Sequence, residues 1–176
     1  MARILLAGAM GSGKSTVGRD LAGELGWELW DNDAELITHT GHDVQWIAEH
    51  WGAERLHDLE ATVLRVGLAA AGDRVICVPG SAVLDGELRE LLKEEWVVWL
   101  RASVPTLVER LSGEPLPRPF VLERTRDELT RIVADLDAER RPGLQEVADL
   151  VLDVDSCTAA DVATRIKEAW ASATKR

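Results

Sequence analysis

The chain has 176 residues, of which 46% are hydrophobic and 29% are charged, and its formal net charge is −11. This length and composition predict one soluble domain, residues 1–176, and no apolar run is long enough to span a membrane. The negative charge argues against nucleic acid and anionic membranes as partners.

The two cysteines, Cys77 and Cys157, are too few for a disulfide framework, which fits a reducing compartment. The first predicted strand begins at Arg3, so the sequence leaves no room for a signal peptide. We therefore expect a cytoplasmic protein, and we expect it to be a monomer.

The chain opens with a predicted strand at Arg3–Ala7, a glycine-rich loop and a predicted helix at Lys14–Leu25. The loop, residues 8–16, reads GAMGSGKST and fits the phosphate-binding pattern G-x-x-x-x-G-K-[ST]. In such a loop, glycines let backbone N–H groups converge on phosphate oxygens at the positive end of the helix dipole. An incidental glycine-rich turn is the competing interpretation, and the position between strand and helix argues against it.

This loop predicts a site for nucleotide phosphates. We expect Lys14 to reach the β- and γ-phosphates and the Ser15 hydroxyl to ligate Mg²⁺. The residues expected to bind ATP here are Gly11, Ser12, Gly13, Lys14, Ser15 and Thr16. The motif alone does not indicate what is done with the nucleotide.

Strands and helices alternate along the rest of the chain. Further strands are predicted at Trp27–Trp30, Arg74–Val78, Trp96–Leu100 and Leu150–Val154. Further helices are predicted at Ala34–Thr38, Val44–Trp51, Glu54–Ala71, Gly86–Lys93, Pro105–Leu111, Asp127–Arg140 and about Ala159–Ala173. The helix ending near Arg140 is expected to stop by Gly143. The alternation predicts an α/β fold with a five-stranded parallel sheet and helices on both faces, and ligands at the carboxyl ends of its strands.

Two carboxylates, Asp31 and Asp33, follow the second predicted strand. On an extended segment, side chains separated by one residue point the same way. We expect one to support Mg²⁺ and the other to hold a substrate hydroxyl, and Asp31 best fits the metal role, through water, because no aspartate ends the third strand. The competing interpretation is that both residues only cap the next helix.

Two later stretches also fall where a ligand is expected. After the third strand, residues 79–82 predict a tight turn in which Gly80 offers a backbone N–H to an anion. Three alternating prolines between residues 112 and 125 exclude a helix or central strand and leave either a mobile lid or a surface connection. Arg118 inside this stretch favours a lid whose arginine reaches the γ-phosphate.

Other arginines stand near helix ends. Arg110 is expected either to stack on an adenine base or to act as an exposed cation at the end of its helix. In the sequence ERRP, residues 139–142, one of Arg140 and Arg141 is expected to grip a substrate carboxylate while the other is solvated. A merely basic helix end is the alternative for both. The spacing of the four histidines does not make a metal site.

These residues together resemble the shikimate kinase family over roughly residues 3–153. The Asp-x-Asp after the second strand, the Arg-Pro pair at Arg118 and the Arg-x-Pro beginning at Arg140 are together fairly specific for that family. The other matching residues are Gly18, Leu25, Gly26, Ile37, Gly41, Val44, Ile47, Gly52, Glu60, Gly80, Arg110 and Glu146 to Asp149.

The resemblance implies a three-layer P-loop kinase fold with a lid at about residues 112–125 and a substrate-binding cap at about residues 34–61. It implies a phosphotransferase of aromatic amino acid biosynthesis that uses ATP and Mg²⁺ to phosphorylate the 3-hydroxyl of shikimate, a small hydroxylated acceptor. Asp33 would contact substrate hydroxyls, Asp31 would support Mg²⁺ and Arg140 would grip the carboxylate. The residues expected to be catalytic are Lys14, Asp33 and Arg118, and those expected to bind the acceptor are Asp33, His57, Gly80 and Arg140.

The chain departs from that family mostly on the acceptor side. The family has an arginine at the position of His57, three glycines at residues 79–81, aromatics at Leu56 and Ala48, and Leu-Tyr at residues 143–144. Losing a bidentate arginine from a carboxylate clamp costs on the order of 2 kcal/mol. A kinase of a different hydroxylated metabolite, such as a sugar acid or polyol, is therefore the alternative function.

A non-catalytic nucleotide-binding module or a GTPase-like switch is a further alternative. Asn32 is the only asparagine, so the chain has no Asn-Lys-x-Asp motif for reading guanine. The presence of Lys14, Ser15, Asp33 and Arg118 together argues for catalysis rather than binding alone.

Overall fold

The computed structural model describes residues 1–113 and 125–174. Within them, the strands are Arg3–Ala7 (β1), Glu28–Asp31 (β2), Arg74–Cys77 (β3), Trp96–Arg101 (β4) and Leu150–Asp153 (β5). The strands pair in parallel in the order β2-β3-β1-β4-β5. This confirms the predicted five-stranded parallel sheet and leaves β1, with the glycine-rich loop, at its centre.

A helix is found at each of the predicted positions, and four of these helices have the predicted ends while four have shifted ends. The helices are Lys14–Leu25 (α1), Asn32–Thr40 (α2), Val44–Trp51 (α3), Ala53–Ala69 (α4), Gly86–Lys93 (α5), Val104–Gly113 (α6), Arg126–Val147 (α7) and Ala159–Ala173 (α8). Reciprocal side-chain capping begins α7 at Thr125 and α8 at Thr158. In the part of the chain that the structure describes, no helix is both long and apolar enough to cross a membrane.

The sheet is covered on both faces, as predicted. In β1, Ile4 and Leu6 belong to one buried cluster, whereas Leu5 and Ala7 belong to the other. This alternation follows from the period of two in a strand. Helices α1, α6 and α8 contribute to the first cluster, and α4 and α5 contribute to the second, while α7 contributes to both along its length. The result is a three-layer α/β fold.

A third, smaller cluster joins α2, α3 and α4. It contains Leu36, Ile47, Leu56 and Val63, all of which are buried. Most of it falls within residues 34–61, the segment expected to form a cap. These helices therefore pack on one another through apolar side chains of their own.

Helix α7 runs through Pro142 and Gly143 to Val147, so the prediction that it ends near Arg140 and stops by Gly143 was wrong. A Cβ atom on Gly143 would lie 2.5 Å from the carbonyl oxygen of Val83. Glycine is present here because the helix passes very close to the turn after β3, and this contact fixes α7 against that turn.

Candidate active site

The glycine-rich loop follows β1 and has a backbone that only glycine accommodates readily. Gly8, Gly11 and Gly13 have φ angles of 147°, 82° and 96°. The Ser12 hydroxyl is buried and has no hydrogen-bond partner within the described residues. Because buried polar atoms are normally paired, this loop has the character of a site that a polar ligand completes.

Lys14 crosses the mouth of this loop. Its Nζ donates to the carbonyl oxygens of Gly8 and Ala9 at 2.9 and 3.1 Å. Burial lowers the pKa of Lys14, and the nearby carboxylate of Asp33 opposes that shift. The loop carbonyls therefore hold the ammonium group in place, and the carboxylate of Asp33 lies near enough to favour its positive charge.

Arg110 reaches from α6 to the same loop. Its Nη1 is 3.4 Å from the carbonyl oxygens of Gly11 and Ser12, and its Nη2 donates to the carbonyl of Val154 at 2.7 Å. Arg110 therefore ties the loop to the end of β5. This position differs from that of the exposed helix-end cation considered from the sequence.

Asp31 and Asp33 lie where β2 meets α2. The Asp31 carboxylate accepts the backbone N–H of Asp33 at 3.1 Å and caps the helix. Helix α2 begins at Asn32 rather than Ala34, so Asp33 lies in a helical turn and the argument from an extended segment was wrong. Asp31 therefore caps α2, as part of the competing interpretation expected, and both carboxylates line the same cavity as Lys14.

One cavity of about 1260 Å³ connects the glycine-rich loop with the far end of the site. It is lined by every predicted site residue that the structure describes. On the loop side these are Gly11, Ser12, Gly13, Lys14, Ser15, Thr16 and Arg110, and beyond them Asp31, Asp33, His57, Gly80 and Arg140. Arg118 and most of the predicted lid lie outside the described residues, whereas residues 112 and 113 continue helix α6.

Arg140 forms the far end of the cavity. Its Nη1 lies 2.8 Å from the place where a Cβ on Gly80 would stand, so the guanidinium rests on the turn after β3. The Nε is buried and has no hydrogen-bond partner within the described residues. Arg141 instead pairs with Asp137 and lies 6.0 Å from the ring of Trp99. Of the two adjacent arginines, Arg140 is the one that lines the cavity.

Glu60 and Ser81 form a buried polar pair, a contact that the sequence analysis did not predict although Glu60 is among the residues that match the family. Glu60 is 7% exposed, and the Ser81 Oγ donates to its Oε2 at 2.5 Å. Burial raises the pKa of Glu60 to about 7, although the bond from Ser81 opposes the shift. The available signal was an acid on the buried stripe of α4, between Leu56 and Leu64.

His57 lies on α4 at the edge of the cavity and is exposed. Desolvation lowers its pKa, and the positive charge of Arg140 lowers it further. Both effects favour the neutral imidazole at pH 7, since its ordinary pKa is already near 6.5. It can donate one hydrogen bond but brings no second positive charge to the site.

The residues available for a metal ion are a hydroxyl and a carboxylate. Ser15 and Asp31 both line the cavity, and within the described residues no group of three or more His, Cys, Asp and Glu could hold a metal. Mg²⁺ is commonly bound by one or two carboxylates together with substrate phosphates and water. The donors fit a cation that binds with the nucleotide.

Comparisons with known proteins give matches to one family over most of the chain. A family model described as shikimate kinase matches residues 10–171. The shikimate kinase of Salinibacter ruber is 39% identical over 160 residues, which cover 87% of this chain and 77% of that protein. The shikimate kinase of Xanthomonas campestris is 33% identical over 164 residues, 93% of this chain and 88% of that protein. The solved structure of shikimate kinase from Acinetobacter baumannii in complex with shikimate is 30% identical, with a TM-score of 0.88, and the match covers 100% of this chain and 96% of that one.

Proposed function

This chain belongs to the shikimate kinase family, and we propose that it transfers the γ-phosphoryl group of ATP to the 3-hydroxyl of shikimate. The observation that carries the proposal is a single cavity that contains both the glycine-rich loop and Arg140. An anionic acceptor can therefore occupy the same space as the end of a bound nucleotide. The relative solved with shikimate bound supports this acceptor.

On the nucleotide side, backbone N–H groups of the loop and the ammonium of Lys14 hold the phosphates. Lys14 is already fixed by two loop carbonyls, so little reorganisation is needed when the γ-phosphoryl charge moves. Arg110 keeps the loop in register with the end of β5. Ser15 and, through water, Asp31 would hold Mg²⁺, which would neutralise part of the charge on the phosphates.

On the acceptor side, Asp33 orients the attacking hydroxyl and accepts its proton. Arg140 grips the acceptor carboxylate with its planar guanidinium, whose Nε is buried without a partner in the described residues. The backbone N–H of Gly80 and the neutral imidazole of His57 add hydrogen bonds. Most of the catalysis in this arrangement is positioning and electrostatics, as phosphoryl transfer requires.

We further propose that residues 1–176 act as one kinase domain in which two segments control access. Residues 34–61 form a cap over the acceptor, which the small apolar cluster of α2, α3 and α4 supports. The lid, expected at about residues 112–125, would follow the end of α6 at Gly113, and its Arg118 would reach the γ-phosphoryl group. Arg118 and residues 114–124 lie outside the described residues, so this role is proposed from the sequence.

An acceptor panel in an ADP-release assay tests the proposed function. We expect kcat/KM for shikimate to exceed that for any sugar acid or polyol by at least about tenfold, because Arg140 and Asp33 hold a carboxylate and a hydroxyl at one separation that a rigid ring keeps and a flexible chain does not. The rate of ADP release without any acceptor is the control. A polyol or sugar acid that is phosphorylated faster than shikimate would show that the acceptor has changed.

Replacing His57 with arginine is expected to lower the KM for shikimate by about tenfold, because a second charged donor then faces the acceptor carboxylate. The measurement is steady-state kinetics with shikimate varied at saturating ATP, and the KM for ATP is expected to stay unchanged. The matched control is His50→Arg, which makes the same change on an exposed residue of α3. An unchanged or higher KM for shikimate in His57→Arg would argue that position 57 does not face the carboxylate.

A further inference from the structure

The Ser81–Glu60 pair is connected to Arg140 through the turn after β3. Ser81 follows Gly80, the residue against which the Arg140 guanidinium packs, and Glu60 extends from α4 to meet the Ser81 hydroxyl. Glu60 is 7% exposed and Ser81 is 9% exposed, and both line the active-site cavity. The pair therefore places a carboxyl group next to the proposed carboxylate-binding residue.

The charged groups that face Glu60 come from three other helices. Lys14 extends from α1, Asp33 from α2 and Arg140 from α7, while His57 precedes Glu60 by less than one turn on α4. Burial lowers the pKa of Arg140, and among acidic residues Glu60 opposes this shift most strongly, ahead of Glu139. Glu60 is thus the principal acidic neighbour of the Arg140 guanidinium.

On the basis of the proposed function, we propose that Glu60 is an internal counter-ion of Arg140 that competes with the acceptor carboxylate, and that the Ser81 hydroxyl holds it in this position. Two carboxylates beside one partly desolvated guanidinium repel each other. Binding of the acceptor carboxylate therefore raises the pKa of Glu60, and near that pKa binding is accompanied by uptake of protons from solvent. Glu60 and Ser81 act through Arg140 and are positioning residues for the acceptor.

This competition makes acceptor binding depend on pH near neutrality. Burial raises the pKa of Glu60 to about 7 in the unliganded protein. Below that pH Glu60 is neutral and the charge of Arg140 is available to the acceptor. Above it Glu60 is ionised and opposes the second carboxylate, so affinity for shikimate falls as pH rises. Because the Ser81 hydroxyl donates to Glu60 and lowers its pKa, loss of that bond moves the change to higher pH.

Isothermal titration of shikimate into the nucleotide-free full chain between pH 6 and pH 9 tests the inference without interference from nucleotide ionisation. In the unmodified protein, Kd is expected to rise by about tenfold over this range, because the ionised form of Glu60 opposes binding of the acceptor carboxylate. Glu60→Gln is expected to bind shikimate with the same Kd at every pH from 6 to 9. In Ser81→Ala, Kd is expected to rise with pH as in the unmodified protein, but the midpoint of the rise is expected at a higher pH.

Two controls separate this effect from a general loss of charge or structure. Glu168→Gln makes the same change at an exposed residue of α8 that does not line the cavity, and it is expected to keep the pH dependence of the unmodified protein. The methyl ester of shikimate keeps the hydroxyls but carries no charge, and its Kd is expected not to vary with pH.

The outcomes separate this inference from the proposed function. Shikimate that binds with a constant Kd from pH 6 to pH 9, or a Glu60→Gln variant that keeps the full rise, would overturn the counter-ion role and leave the proposed acceptor standing. Shikimate that does not bind at any pH would overturn the proposed acceptor and the inference together.

Discussion

Lys14→Ala is expected to lower kcat for phosphoryl transfer by at least about a thousandfold. The ammonium group is held by the carbonyl oxygens of Gly8 and Ala9 at the mouth of the loop, where the transferring phosphoryl group would lie. Alanine removes a positive charge that is worth more in the transition state than in the bound nucleotide. The measurement is single-turnover transfer to shikimate with ATP and Mg²⁺, which separates chemistry from product release.

A control for this variant must show that the fold persists. Lys93→Ala removes an exposed lysine that pairs with Glu90 and Glu146, far along the chain from the loop, and it is expected to leave kcat unchanged. Thermal denaturation of both variants checks the fold. Turnover within about tenfold of the unmodified protein in Lys14→Ala would mean that phosphoryl transfer does not take place at this loop.

Arg140→Ala is expected to raise the KM for shikimate by at least about thirtyfold, or about 2 kcal/mol, with little change in the KM for ATP. The guanidinium faces the cavity, its Nε has no partner in the described part of the chain, and His57 is neutral at pH 7. Because position 57 brings no second positive charge to the acceptor carboxylate, we expect the affinity for that carboxylate to depend mainly on Arg140. Steady-state kinetics with each substrate varied in turn measures it.

Arg141→Ala is the matched control because it changes the next residue to the same product. Arg141 pairs with Asp137 and lies over Trp99, away from the cavity. We expect its effect to appear in stability and not in the KM for shikimate. Equal effects of the two variants on that KM would argue against Arg140 as the carboxylate anchor.

Much of the fold follows from local sequence signals. The strand β1 is a short apolar run, the loop that follows carries a fixed pattern of glycines, and α7 and α8 begin at threonines whose partners stand three residues later. Such signals act over a few neighbouring residues, so they can be read without knowledge of the packing. The parallel sheet then follows from the alternation of strands and helices.

The errors arose where contacts distant in sequence decide the outcome. Gly143 was taken as a helix stop, yet it permits close contact with Val83, a residue 60 positions earlier. Helix α2 begins at Asn32 because the Asp31 side chain caps it, which the short apolar pattern did not indicate. The Ser81–Glu60 bond joins a turn to a helix, so neither residue alone indicates it.

The close contact between Gly143 on α7 and Val83 limits where the chain can change as acceptor preference evolves. Any side chain larger than hydrogen at position 143 would meet the Val83 carbonyl and push the helix off the turn, which would move Arg140 relative to Gly80. Substitutions at position 143 are therefore expected to disturb this side of the site, although residue 143 contacts neither substrate. Descendants with altered acceptors are expected to differ on α4, where His57 is exposed and free to vary without moving the backbone.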